Sequence, residues 1–174
     1  PVMRPISPYA ATKRMNELQG HVYSHVYGLN VTMLRFFTVY GPRQRPDMAI
    51  HMFTKKVLRG ESLPMFGDGS TRRDYTYIDD IIDGVVRCVD RPFRYEIFNL
   101  GESHTTSLAE LIELVGKHAG VAPVIDRQPL QPGDVEITYA DVSHARELLG
   151  YNPRFSMDEG IARFVAWYRE RHGL

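Results

Sequence analysis

The sequence predicts an α/β protein, on three observations. Short apolar runs rich in β-branched and aromatic residues, at 31–37 and 95–100, alternate with longer stretches of helical spacing. Glycines close several of those stretches, as Gly28, Gly60 and Gly150 do. Two capping boxes, Ser107-Leu108-Ala109-Glu110 and Ser156-Met157-Asp158-Glu159, open two others. The 174 residues suffice for one domain, or a domain and a half, with a real core.

Each element has its own signal. Ser7 suits an N-cap and Pro8 the first helical position; Ala11, Met15, Leu18, Val22 and Val26 then recur at helical spacing up to Gly28. The run 31–37 reads as a buried strand, which Gly41-Pro42 breaks. A helix is expected over 47–59, a short strand over 63–66 and a turn at Gly67-Asp68-Gly69-Ser70. After 74–77, the stretch 78–89 reads as a helix with Asp79, Asp80 and Asp83 near its positive end. A strand follows at 95–100, and the first capping box opens a helix with Leu108, Leu111, Ile112 and Val115 on its apolar face. An edge strand is expected over 121–127 and a short helix over 141–149. In the final helix Ile161, Phe164, Val165 and Tyr168 point inward. No internal repeat or low-complexity tract is evident.

Bulk composition excludes some function classes. Lys and Arg total 21 and Asp and Glu total 21, which argues against binding nucleic acid or a membrane surface by bulk charge. No apolar run approaches a membrane span, and no signal-peptide pattern opens the chain. The single cysteine, Cys88, sits among Ile81, Ile82, Val85 and Val89 and reads as a small buried hydrophobe. With no intramolecular disulfide possible, a reducing cytoplasm fits. His21 and His25 lie four apart on a helix, but no third ligand accompanies them, so a solvated pair is preferred to a metal site.

The residues able to carry chemistry fall into three blocks. In the first, Ser7-Pro8-Tyr9-Ala10-Ala11-Thr12-Lys13, a phenol and an ammonium stand one helical turn apart on one face. A neighbouring cation can turn a tyrosine, normally protonated up to pH about 10, into a usable base. The spacing alone is weak evidence in a chain with 10 tyrosines. In the second, 63–80, an extended Leu63-Pro64-Met65-Phe66 leads through a glycine turn to Arg72-Arg73-Asp74-Tyr75. A strand's backbone and aromatic face can hold a base while a guanidinium grips a diphosphate. In the third, Gln131-Pro132-Gly133-Asp134-Val135, a carboxylate on a Pro-Gly turn can accept bonds from ribose hydroxyls, or from its own backbone.

The first block, followed by Arg35-Phe36-Phe37-Thr38-Val39-Tyr40-Gly41-Pro42-Arg43, resembles the extended short-chain dehydrogenase/reductase family and, within it, the nucleotide-sugar epimerases and dehydratases. The other two blocks follow in that family's order, as does Arg146-Glu147-Leu148-Leu149-Gly150-Tyr151-Asn152-Pro153. The resemblance implies NAD as cofactor and Tyr9 as the base, its pKa lowered by Lys13 and by the nicotinium ring. Lys13 would also bond the nicotinamide ribose, with Phe36 lining the nicotinamide pocket. It further implies that Thr38 approaches the sugar or diphosphate, Pro64 and Phe66 border the nucleobase, Arg73 rather than Arg72 binds the diphosphate, and Asp134 holds a ribose. Some members carry an arginine where Gln131 stands, so that second diphosphate contact is lacking.

The run 41–49 is similar to that of bacterial UDP-glucose and UDP-glucuronate 4-epimerases, which makes Arg45 a candidate carboxylate ligand. The activity implied is 4-epimerisation of a UDP-hexose or UDP-hexuronate. A 4,6-dehydratase, a UDP-glucuronate decarboxylase and a non-catalytic nucleotide-sugar-binding fragment remain open. The implied fold is the C-terminal part of a Rossmann-like domain (1–45) plus a small α/β substrate-binding region (46–174), with 74–100 returning to the first. The glycine-rich half that cradles a dinucleotide is expected outside these residues, and the isolated chain is expected to be inactive. The family pairs subunits through the tyrosine helix, so Met15, Leu18 and Val22 are expected either in a homodimer or against their own sheet.

Overall fold

The structure, a computed structural model, describes residues 4, 5, 7–130 and 135–174. Among these residues the order is α1 (Pro8–Tyr27), β1 (Val31–Phe36), β2 (Thr38–Tyr40), α2 (Ala49–Leu58), β3 (Leu63–Phe66), β4 (Arg72–Arg73) and β5 (Tyr75–Tyr77). Then come α3 (Ile78–Asp90), β6 (Tyr95–Leu100), β7 (Thr106–Ser107), α4 (Leu108–Ala119), β8 (Ile125–Gln128), α5 (Ser143–Leu149) and α6 (Met157–His172). No helix of the described residues is long and apolar enough to cross a membrane.

β1 pairs in parallel with β6, from Val31 opposite Tyr95 to Phe36 opposite Leu100. The expected single strand over 31–37 changes partner at its end. Phe37 N–H donates to the Leu100 carbonyl, but Thr38 N–H donates to that of Asp74, and β2 then runs parallel to β5. β3 pairs in parallel with β8, and β4 antiparallel with β7. The strand expected over 121–127 thus begins at Ile125, where its partner Leu63 stands.

Two buried clusters organise these pieces. Phe98 and Leu100 of β6 pack with Ile81 and Cys88 of α3 and with Ala145 and Leu149 of α5. Residues 140–151, which the sequence division places with the second region, therefore lie on the β1–β6 side. The larger cluster joins α2, α4 and α6 around Leu63 and Met65, with Phe53, Leu111 and Phe164 at its centre. Tyr40 belongs to it as well, its ring edge-on to Tyr77 at 5.6 Å.

Local signals account for most element ends. Ser7 Oγ accepts from Ala10 N–H, and Gly28 closes α1 with φ of +74°. Ser107 and Glu110 form the reciprocal box. At α6 only the serine half matches expectation: Ser156 Oγ accepts from Glu159 N–H, while the Glu159 carboxylate takes Arg163 Nη2 at 2.8 Å.

Of the two settings expected for the apolar stripe of α1, packing on its own sheet is not found. Met15, Leu18, Val22 and Val26 are all more than half exposed, so that stripe does not pack on its own sheet. The inward face is Glu17, Gly20 and Ser24. A Cβ at Gly20 would meet Met33 Sδ at 2.9 Å and Val31 Cγ1 at 3.2 Å, so a larger side chain there would have to push the Met33 side chain aside.

Candidate active site

The first turn of α1 puts Tyr9 and Lys13 side by side, with Lys13 Nζ over the Tyr9 ring at 5.4 Å from its centroid. Tyr9 is 71% exposed at the rim of a cleft of about 650 Å³. Phe36, Thr38, Arg43, Arg45 and Thr138 line the same cleft. Behind Tyr9 a second hollow of about 360 Å³ holds Lys13, Glu17, Arg35 and Phe36, so Tyr9 and Phe36 form a wall common to both. β1 delivers Phe36 here because its last residue emerges beside the N-terminus of α1, leaving the ring 52% exposed. Arg45 reaches the cleft from the loop before α2 and pairs with the exposed carboxylate of Asp47 at 2.9 Å.

Pro64, Phe66 and Arg73 come together in a smaller pocket of about 180 Å³ with Met52, Phe53, Thr71 and Tyr75. The start of α2 lies between the two regions: Met48 lines the large cleft, Ala49 and Met52 the small pocket. The adjacent arginines part company. Arg72 Nε donates to Thr105 Oγ1 at 2.8 Å, and its Nη2 reaches the Thr105 carbonyl and the Glu110 carboxylate. Arg73 faces the pocket and bonds the Arg72 carbonyl through Nη1. Asp134 and Gln131 lie outside the described residues.

Sequence reasoning missed four participants. Asp74 is fully buried and accepts from the N–H groups of Glu102, Ser103 and Ala140 and from the Thr76 hydroxyl. Its own N–H donates to Thr138 Oγ1, which ties that cleft residue to β5. An aspartate just before a strand of Tyr-Thr-Tyr was the available signal. Arg43 holds a left-handed backbone with φ of +69° on the cleft wall, a conformation uncommon outside glycine. Arg35, the first residue of its quoted motif, pairs with Glu17, which the motifs did not include, and both line the hollow that holds Lys13.

Two further groups lie deeper. Burial first, then the carboxylates of Asp80 and Asp74, push Glu102 from the ordinary 4.5 to about 7. Burial likewise drives the Tyr40 phenol well above its ordinary value, and Glu102 adds to the effect.

A parallel strand pair that ends at a cleft, with a Tyr-x-x-x-Lys helix on one side and a strand-and-arginine pocket on a second lobe, defines the class. It is the later part of a Rossmann-like domain joined to a small α/β lobe. The chain belongs to the NAD dependent epimerase/dehydratase family, whose model matches residues 1–101. It is 42% identical over 167 residues to a UDP-glucuronate 4-epimerase of Thermodesulfobacterium geofontis, covering 95% of this chain and 51% of that one. Among solved structures, the UDP-glucuronic acid 4-epimerase of Bacillus cereus with UDP-glucuronic acid and NAD superimposes with a TM-score of 0.89. That pair shares 37% identity over 97% of this chain and 54% of the other. A UDP-glucose 4-epimerase of Thermotoga maritima with UDP-glucose gives 0.91 at 34% identity, over 97% and 55%. The chain thus spans about half the length of the proteins it matches.

Proposed function

We propose that this chain is the catalytic-helix and substrate-lobe portion of an NAD-dependent 4-epimerase acting on a UDP-hexose or UDP-hexuronate. The observation that carries the reading is the Tyr9–Lys13 pair at the rim of a cleft that also holds Phe36, Thr38 and Arg45. An ammonium over the ring and an exposed aromatic wall fit the nicotinamide end of the cofactor. When bound, NAD accepts and returns the hydride of the sugar carbon, so net redox is zero.

This chain's residues supply the rest. Tyr9 removes the proton of the C4 hydroxyl as the 4-keto sugar forms and gives it back when the other face is reduced. Lys13, as a cation beside the phenol, favours the phenolate and holds the cofactor's ribose. Pro64 and Phe66 border the uracil, Arg73 grips the diphosphate and Thr38 meets the sugar side. Asp134 takes a ribose hydroxyl. Arg45, released from Asp47, pairs with the carboxylate of a hexuronate. The outward stripe of α1 forms a two-fold interface with a second copy, burying Met15, Leu18 and Val22. The buried thiol of Cys88 suits a reducing cytoplasm.

The test is turnover of UDP-glucose and UDP-glucuronate by the full-length protein, read as the C4 epimer by NMR. Tyr9→Phe is expected to lower kcat about 100-fold or more with nucleotide binding intact. Wild-type rates in that variant would remove the base from this reading.

A further inference from the structure

On α1 the face that carries Tyr9 and Lys13 runs inward to Glu17, one turn beyond the lysine. Glu17 is 7% exposed, and its two carboxylate oxygens accept from Arg35, Nε at 2.6 Å and Nη2 at 2.9 Å. Arg14 Nη1 adds a third bond, and the Tyr95 phenol donates to the Glu17 carbonyl at 2.8 Å. The Arg35 fork holds the carboxyl below its ordinary range against the opposing effect of burial, and Glu17 in turn raises Arg35.

What surrounds this pair makes it more than one ion pair among several. The large apolar residues of α1 point away from the strands, and beside this pair the inward contacts include Gly20 on Met33 and Val31, the His21 ring edge-on to Tyr95 at 5.0 Å and Ser24 Oγ on the Arg94 carbonyl. α1 is therefore located on β1 and β6 by polar anchors rather than by an interlocking apolar seam. Arg35 directly precedes Phe36, and Glu17, Arg35, Lys13, Tyr9 and Phe36 line one hollow.

We propose that Glu17 is a positioning residue: its paired bonds to Arg35 fix the axial and rotational setting of α1 on β1, and so hold Tyr9 and Lys13 against Phe36. The inference rests on Tyr9 and Lys13 being the reacting pair. A planar two-bond fork fixes orientation as well as distance, which a lysine at the same place cannot do. A shift of about 1 Å at a reacting group can cost about 100-fold in rate.

Two measurements decide it, on Glu17→Gln and Arg35→Lys. The first is hydrogen exchange of the amides at 12–20, with those of α4 as internal reference. Exchange about tenfold faster in α1, with α4 unchanged, is expected. Unaltered α1 exchange in both variants overturns the proposal, whatever the activity. The second is turnover by the full-length protein, where kcat is expected to fall about tenfold or more with KM within about twofold. A lowered melting temperature with kcat intact makes the pair merely structural and also overturns it. Tyr9→Phe keeps the two ideas apart. Full turnover there sinks the assigned base, while the exchange measurement still decides the anchor.

Discussion

At the scale of single residues, Arg72 and Arg73 show how neighbours on one strand take different work. Successive side chains of an extended segment point to opposite sides. Arg72 turns toward the start of α4, where Thr105 in the preceding loop and Glu110 in the first turn occupy its guanidinium; Arg73 turns into the pocket with Pro64 and Phe66. Arg73→Ala is expected to weaken UDP binding about tenfold or more, the loss of a charge-assisted contact. Arg72→Ala is expected to lower the melting temperature while leaving UDP affinity within about twofold. Calorimetric titration and thermal unfolding of both variants would separate them, and equal loss of UDP affinity would refute the division. Which arginine faces the pocket was legible from the family motif, since Arg73 directly precedes Asp74-Tyr75. The role of Asp74 was not, because its partners lie 28, 29 and 66 residues away along the chain.

Among the elements, α6 is fitted to β2 through an absent side chain. A Cβ at Gly160 would stand 1.9 Å from the Tyr40 hydroxyl, in a cluster where Tyr40 is 1% exposed. Gly160→Ala must displace either the ring or the helix, at a cost of about 3 kcal/mol. Tyr40→Phe removes the atom in the way, a buried hydroxyl that has no partner among the described residues, so the double variant should recover part of that loss. Denaturant unfolding of the two single variants and the double one measures the coupling, and additive losses would refute the contact. The sequence announces such elements better than their surroundings. The N-cap serines and C-cap glycines of α1 and α4 stand where local chemistry puts them, because capping needs only residues a turn away. The apolar stripe of α1 was equally visible, yet periodicity identifies a face without saying what covers it. Here small and polar residues face the strands, and the break between β1 and β2 at Phe37 follows from a change of hydrogen-bond partner that no local pattern records. If two copies meet through α1, Leu18→Glu should convert the dimer to a monomer in light scattering, with the fold retained by circular dichroism.

Across the whole molecule, buried carboxylates sit where the two clusters meet. Asp74 ties β5 to the 101–103 loop and to Ala140 of the first cluster. Asp80 accepts from Arg154 and Phe155 N–H groups, and the Phe155 ring lies 4.8 Å from Tyr77 of the second. Glu102 is pressed between these acids, with Oε2 buried and without a partner among the described residues. Its carboxyl titrates near 7 in the fold, against 4.5 for an ordinary glutamate. Between those values the folded state keeps a proton that the unfolded chain has lost, so this group's contribution to stability declines as pH rises through about 7. Because Glu102 is only partly shielded from water, the change amounts to about 1–2 kcal/mol rather than the full value of the shift. Glu102→Gln keeps the shape and cannot ionise. It should match the parent near pH 4 and exceed it by that amount near pH 8, in urea melts at fixed salt. A stability difference equal at the two pH values would show that the seam carries no proton. Since the same loops support Thr138 and the start of β5, unfolding of this seam at high pH should also loosen the cleft, visible as faster exchange of the amides at 101–103.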